Sequence, residues 1–154
     1  MASQPSTQPQ FEIQKVYLKD VSFEAPNSPQ MFTQAWKPGT KVQLSTALIC
    51  LNEDIHEVAL SITVTATVGE KTAYLVEVTQ AGIFSIKGFA DAQMNQLLGA
   101  YCPSILFPFA REAIAELIAK GGFPQLLLAP INFDAVYAQQ QRSHEQTADS
   151  GAKH

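Results

Sequence analysis

The chain has 154 residues, of which 46% are hydrophobic and only 16% charged, with a formal net charge of −4. That length supports one domain with tails, and an acidic balance without a basic run excludes the clustered Lys and Arg of a nucleic-acid binder. So little charge is unusual for a self-sufficient monomer, which implies apolar surface either covered by a partner or kept open for use.

Residues 1–9 form a Ser/Gln/Pro-rich tail with neither a positive n-region nor an apolar h-region. It is read as disordered rather than as a secretory signal, and the chain as cytoplasmic. No apolar run approaches the about 18 residues of a membrane span, so no direct membrane insertion is expected. The first strand is read in Tyr17–Asn27, where Val21, Phe23 and Ala25 alternate with Asp20, Ser22 and Glu24. Pro26 and the cluster Asn27-Ser28-Pro29 end it, because proline cannot donate to a ladder. A loop then carries Met31, Phe32 and the only tryptophan, Trp36. The second strand is expected over Lys41–Leu51, ending in Leu48-Ile49-Cys50-Leu51, apolar on both faces. After a turn at Asn52-Glu53-Asp54, residues 57–69 place Val58, Leu60, Ile62, Val64, Ala66 and Val68 on one face, with Ser61, Thr63, Thr65 and Thr67 on the other. Gly69-Glu70-Lys71 turns the chain into a fourth strand over Thr72–Ala81, with Tyr74, Val76 and Val78 opposed to Leu75, Glu77 and Thr79. The expected product is a four-stranded antiparallel sheet, built from one strand, a long crossover loop and a meander.

From Asp91 the period changes to that of a helix. Asp91 is read as its cap, and Met94, Leu97, Leu98 and Tyr101 follow at helical spacing. Pro103 and Pro108 should kink this helix, and Ala110, Ala113, Ile114, Leu117 and Ile118 continue its stripe to a stop at Gly121-Gly122. An apolar loop follows over 123–131. Asn132 then caps a short helix from Phe133 to about Gln141, and the polar residues 142–154 are read as a disordered tail. The class is α+β, with the working domain at 10–141. One long helix cannot cover both faces of such a sheet, so some surface should be buried between subunits.

Catalytic chemistry is not assembled. His56 lies in a turn and His144 and His154 in the tail, none beside a nucleophile or paired carboxylate. Asp54, His56 and Glu57 read as a solvated turn rather than a metal site, and Gly69-Glu70-Lys71-Thr72 as a hairpin rather than a phosphate loop. Cys50 and Cys102 fit no disulfide framework or metal spacing and are read as reduced, partly buried thiols. No enzyme activity, cofactor or metal is expected.

Two surfaces remain. Large apolar residues are unusual in loops, yet Met31, Phe32 and Trp36 occupy one loop and Phe123, Leu126, Leu127 and Leu128 another. These loops are expected to wall an apolar groove floored by Val42 and Leu44, of the contiguous kind that marks binding sites. Asp20, Glu24, Leu75 and Glu77 would share one acidic face if the first and fourth strands are neighbours.

The segment Tyr17–Asn27 closely resembles the N-terminal strand of SecB, the bacterial protein-export chaperone family. The resemblance continues through Gln80-Ala81-Gly82-Ile83-Phe84-Ser85-Ile86, Leu98-Gly99-Ala100-Tyr101-Cys102-Pro103, Ile105-Leu106-Phe107-Pro108, Phe123-Pro124-Gln125-Leu126 and Leu128-Ala129-Pro130-Ile131-Asn132-Phe133-Asp134-Ala135. It implies a homotetramer, a dimer of dimers, that acts as an ATP-independent holdase for unfolded precursor proteins and delivers them to the translocase ATPase SecA. It assigns Asp20, Glu24, Leu75 and Glu77 to SecA docking and Val76, Val78 and Gln80 to subunit assembly, and Leu98 and Tyr101 are expected at the same interface. It also implies that the groove of Met31, Phe32, Trp36, Val42, Leu44, Phe123, Leu126 and Leu128 holds the client. The tail departs from the family's often acidic pattern: Arg142, Glu145, Asp149 and Lys153 nearly cancel, which weakens any tail contact with SecA. Two other readings stay open, a related chaperone dedicated to another client such as an antitoxin, and a binder of small apolar ligands.

Overall fold

Alternating apolar residues, many of them β-branched, drive the central strands. The computed structural model describes residues 8–151, in which β1 (Gln10–Glu24), β2 (Gly39–Cys50), β3 (Ile55–Val68) and β4 (Lys71–Lys87) form an antiparallel sheet in the order β1-β4-β3-β2. The first and fourth strands are therefore neighbours, as the acidic face required. β1 and β4 are both longer than their alternation suggested. β1 carries irregularities between Ile13 and Lys15 and between Leu18 and Asp20, and each extra residue shifts the in–out phase. Those shifts conceal the strand's first half from a period-two reading.

One face of the sheet is the core. Leu60, Ile62, Val64, Val76, Val78 and Phe84 are fully buried there. Above them lies a helical segment with three parts: α1 (Asp91–Gln96), a π-helical turn over Leu97–Tyr101, and α2 (Cys102–Lys120). Leu106, Ala110, Ile114 and Ile118 of α2 are fully buried on the same core. Asp91 is not the cap; the extended residue Ala90 holds that position, and Asp91 places its charge in the first turn, where the helix dipole favours it. The expected disturbance at Pro103 takes the form of the π turn. The Cys102 N–H donates five residues back to the Leu97 carbonyl, resetting the ladder just before the residue that lacks a donor. Pro108 sits inside α2. The helix ends as the two glycines predict: Gly122, at φ 88°, donates to Ala119, and Phe123 donates to Ile118, a paired closure that throws Phe123 back onto the core.

The C-terminal helix α3 (Phe133–Gly151) starts where expected, with the Asn132 side chain accepting from the Ala135 N–H at 3.1 Å. It does not stop near Gln141, however, and the stretch read as a disordered tail is helical through Gly151. Low apolar content removed the packing signal, but Gln, Arg, Glu and Ala retain good intrinsic helix propensity. Residues 1–7 and 152–154, the remainder of the expected tails, lie outside the described residues.

Candidate functional site

The outer face of the sheet, opposite α2, carries the acidic group. Paired residues of an antiparallel ladder share a face, and the register sets Glu24 against Leu75, Ser22 against Glu77 and Asp20 against Thr79. Asp20, Glu24, Leu75 and Glu77 thus come together on one surface; the three acids are exposed and Leu75 is half-buried. Among the described residues none of these acids enters an ion pair. β3 extends the same surface with Thr63 and Thr65, opposite Glu77 and Leu75.

Beside it lies a cluster that the sequence did not signal. Tyr17 and Lys19 both reach across β4 to Glu57 of β3: the Tyr17 hydroxyl donates to Oε2, and the Lys19 ammonium pairs with Oε1 at 2.7 Å. Ala81 and Ala59, small and buried, lie in register with Tyr17 and leave room for its ring to cross. Lys19, and with it Tyr17, holds the Glu57 carboxyl below its ordinary range. Burial, helped by the bond to Glu57, pushes the Tyr17 hydroxyl up to about 12. No spacing rule links residues 17, 19 and 57; only the strand order does.

On the inner face, α2 lies over β4 and β3 and leaves the edge strand β2 uncovered. Val42 is 44% exposed and Leu48 52%, although both point to the core side with Val64 and Val58. The residues expected to line a groove divide into two groups. Met31, Phe123 and Leu128 are buried, while Trp36, Leu44 and Leu126 are half-buried and Phe32 is exposed. Phe123 is the hub that fixes the loops, with ring centroids 5.0 Å from Phe32, 5.4 Å from Trp36 and 5.1 Å from Tyr74. Buried aromatics thus anchor the walls, and Phe32, Trp36, Val42 and Leu44 supply the apolar surface left open. Tyr74, which supports both Phe123 and Trp36, escaped the sequence reading because it looked like any core position of a strand. Towards the other end of β2, a cavity of about 340 Å³ opens between Thr46, Leu48 and Val58 of the sheet and Leu98, Gly99 and Tyr137 of the helices.

The residues expected at a subunit interface differ sharply in exposure. Val76 and Val78 are fully buried and Gln80 is 5% exposed, because β4 is a central strand roofed by the chain's own α2. They present no surface, so they can bear on a partner only through the position of that helix. Leu98 is buried beside the cavity, whereas Tyr101 is half-exposed and packs edge-on against Phe11 at 5.1 Å. The thiols also differ from expectation: Cys50 is exposed at the end of β2, and Cys102 is buried, its thiol pushed up to about 12 by burial. His56 and Glu57 are consecutive strand residues on opposite faces, so Asp54, His56 and Glu57 do not converge.

A family model described as Preprotein translocase subunit SecB matches residues 4–144. The chain belongs to the SecB family of protein-export chaperones. It is 54% identical over 154 residues to the protein-export protein SecB of Nitrosococcus oceani, covering 99% of this chain and 94% of that protein. It is also 54% identical to that of Methylococcus capsulatus, with 99% of both chains covered. Among solved structures it is similar to the Mycobacterium tuberculosis SecB-like chaperone in complex with a ChAD peptide from the HigA1 antitoxin. That match has a TM-score of 0.66 at 14% identity and covers 79% of this chain and 90% of the other, a likeness of fold. SecB proteins are chaperones, not a known class of enzymes. Among the described residues no helix is long and apolar enough to cross a membrane.

Proposed function

We propose that this SecB chain is an ATP-independent cytoplasmic holdase that binds unfolded precursor proteins on its inner-face apolar strip and passes them to SecA through its acidic outer face. The observation that carries this reading is the placement of the two surfaces on opposite faces of one sheet. Phe32, Trp36, Val42 and Leu44 offer apolar area on one side, and Asp20, Glu24, Leu75 and Glu77 offer negative charge around a leucine on the other. Client and SecA can therefore be engaged together. Apolar contacts are non-directional and accept many sequences, whereas a folded protein hides the extended apolar segments that such a strip needs. Fast release by mass action then keeps the client available without a nucleotide.

The working unit in this proposal is residues 10–141, assembled as a homotetramer, a dimer of dimers. Support comes from apolar side chains left exposed away from the strip, including Leu18, Val21, Phe109 and Leu127. Val76, Val78 and Gln80 would influence assembly by setting α2, with Leu98 and Tyr101 on the adjoining π turn. The relatives at 54% identity are named for protein export, which favours SecA delivery over a chaperone dedicated to an antitoxin. The test is light scattering of a denatured precursor diluted into buffer, with and without the chain, followed by addition of SecA. Suppressed aggregation and transfer of the precursor to SecA support the proposal. Suppression without any SecA binding leaves the dedicated-chaperone reading.

A further inference from the structure

A docking face that recruits a basic partner has to keep its negative charge from being cancelled by its own lysines. Lys19 is the threat here. The irregularity between Leu18 and Asp20 in β1 leaves Lys19 without a partner in β4, and its side chain emerges on the outer face next to Asp20. The ammonium is not paired with Asp20. It is drawn the other way, across β4, to Glu57 at 2.7 Å, and the second oxygen of the same carboxylate accepts from Tyr17. Glu57 is itself only 12% exposed at its side chain, against 43% for Lys19, so the carboxylate is the fixed member of the pair.

We propose that Glu57 is a charge-masking residue: it sequesters the Lys19 ammonium so that Asp20, with Glu24 and Glu77, remains available to a cationic partner surface. Tyr17 positions the Glu57 carboxylate for this task and makes no demand on the partner. This inference rests on the reading that Asp20, Glu24, Leu75 and Glu77 dock SecA. It adds to that reading that the specificity of the face depends on residues outside it. A misplaced charge at the rim of an electrostatic interface changes association rate and salt dependence.

The experiment compares SecA affinity, at low and at moderate salt, for the full chain and its Asp20→Ala, Glu57→Gln, Lys19→Gln and Glu57→Gln/Lys19→Gln variants. Glu57→Gln is expected to weaken binding about three- to fivefold at low salt, with the loss shrinking as salt rises. The double variant is expected to return to within about twofold of the unmodified chain, since the freed cation is gone. A purely structural role for Glu57 would not be rescued by removing Lys19, so a loss that persists in the double variant overturns the inference, as does Glu57→Gln binding normally. Lys19→Gln keeps the test sharp if Glu57→Gln does not fold. It removes a cation already masked, so affinity should hold or rise, and a loss overturns the proposal. If Asp20→Ala itself binds normally, the docking reading beneath the inference falls first and the two failures are told apart.

Discussion

Glu24 in β1 and Leu75 in β4 sit directly opposite each other on the outer face of the sheet. An acid opposite a half-buried leucine, followed two residues along by Ser22 opposite Glu77, gives a surface with an apolar centre and a charged border. That composition resembles an interaction surface more than a merely solvated sheet face.

Glu24→Ala and Asp20→Ala are expected to weaken SecA binding about two- to fivefold each while leaving client holding unchanged. Titration of each variant with SecA, alongside precursor aggregation in its absence, separates the two activities. Normal SecA binding by both variants would remove the acidic face from the account.

Val42→Arg places a cation on the open part of β2, where Val42 is 44% exposed and its neighbour Leu44 half-buried. An unfolded client would have to bury that charge unpaired, so affinity for it should fall about tenfold or more. The exposed position means the fold itself should survive. Undiminished holding by a folded variant would show that β2 is not part of the floor.

Much of this was legible beforehand. Alternation in residues 57–79 gave the central hairpin and its faces, and Asn132, Gly121 and Gly122 fixed their helix ends through local backbone chemistry. What escaped had physical causes. Bulges shifted the phase of β1 around Lys19, so the start of the strand and the Tyr17–Glu57–Lys19 cluster were invisible to a period-two reading. The polar continuation of α3 carried helix propensity without an apolar stripe. Val76 and Val78 looked equally suited to core and interface, and only the strand order put them under α2.

Gly99 lies in the π turn, and a methyl group there would run into the Tyr137 ring of α3. Gly99→Ala should therefore push α3 off the helix, costing about 1–3 kcal/mol and opening the cavity beside Leu48. Hydrogen exchange provides the check: amides over residues 133–141 should lose protection while those of β3 and β4 keep theirs.

Stability should bend at both ends of the pH range through one cluster. In the folded chain Lys19 and Tyr17 hold the Glu57 carboxyl below its ordinary 4.5, so the unfolded chain binds that proton first as pH falls. The cluster's contribution is thus present above about 4.5 and lost as pH drops through the lower folded value. At the other end, burial and Glu57 raise Tyr17 from 10.0 to about 12, so a contribution present below 10.0 is lost as pH rises through about 12. Urea denaturation across pH should show Glu57→Gln flattening the acid limb and Tyr17→Phe the alkaline one. Parallel curves for both variants and the unmodified chain would contradict this.

On this reading the inner-face strip selects chains by their folding state. Native mass spectrometry with an export-type precursor, offered once unfolded and once folded, tests it most directly. The expected result is a tetramer that takes up the unfolded precursor and ignores the folded one. A monomer, or a tetramer that binds both forms equally, would contradict it.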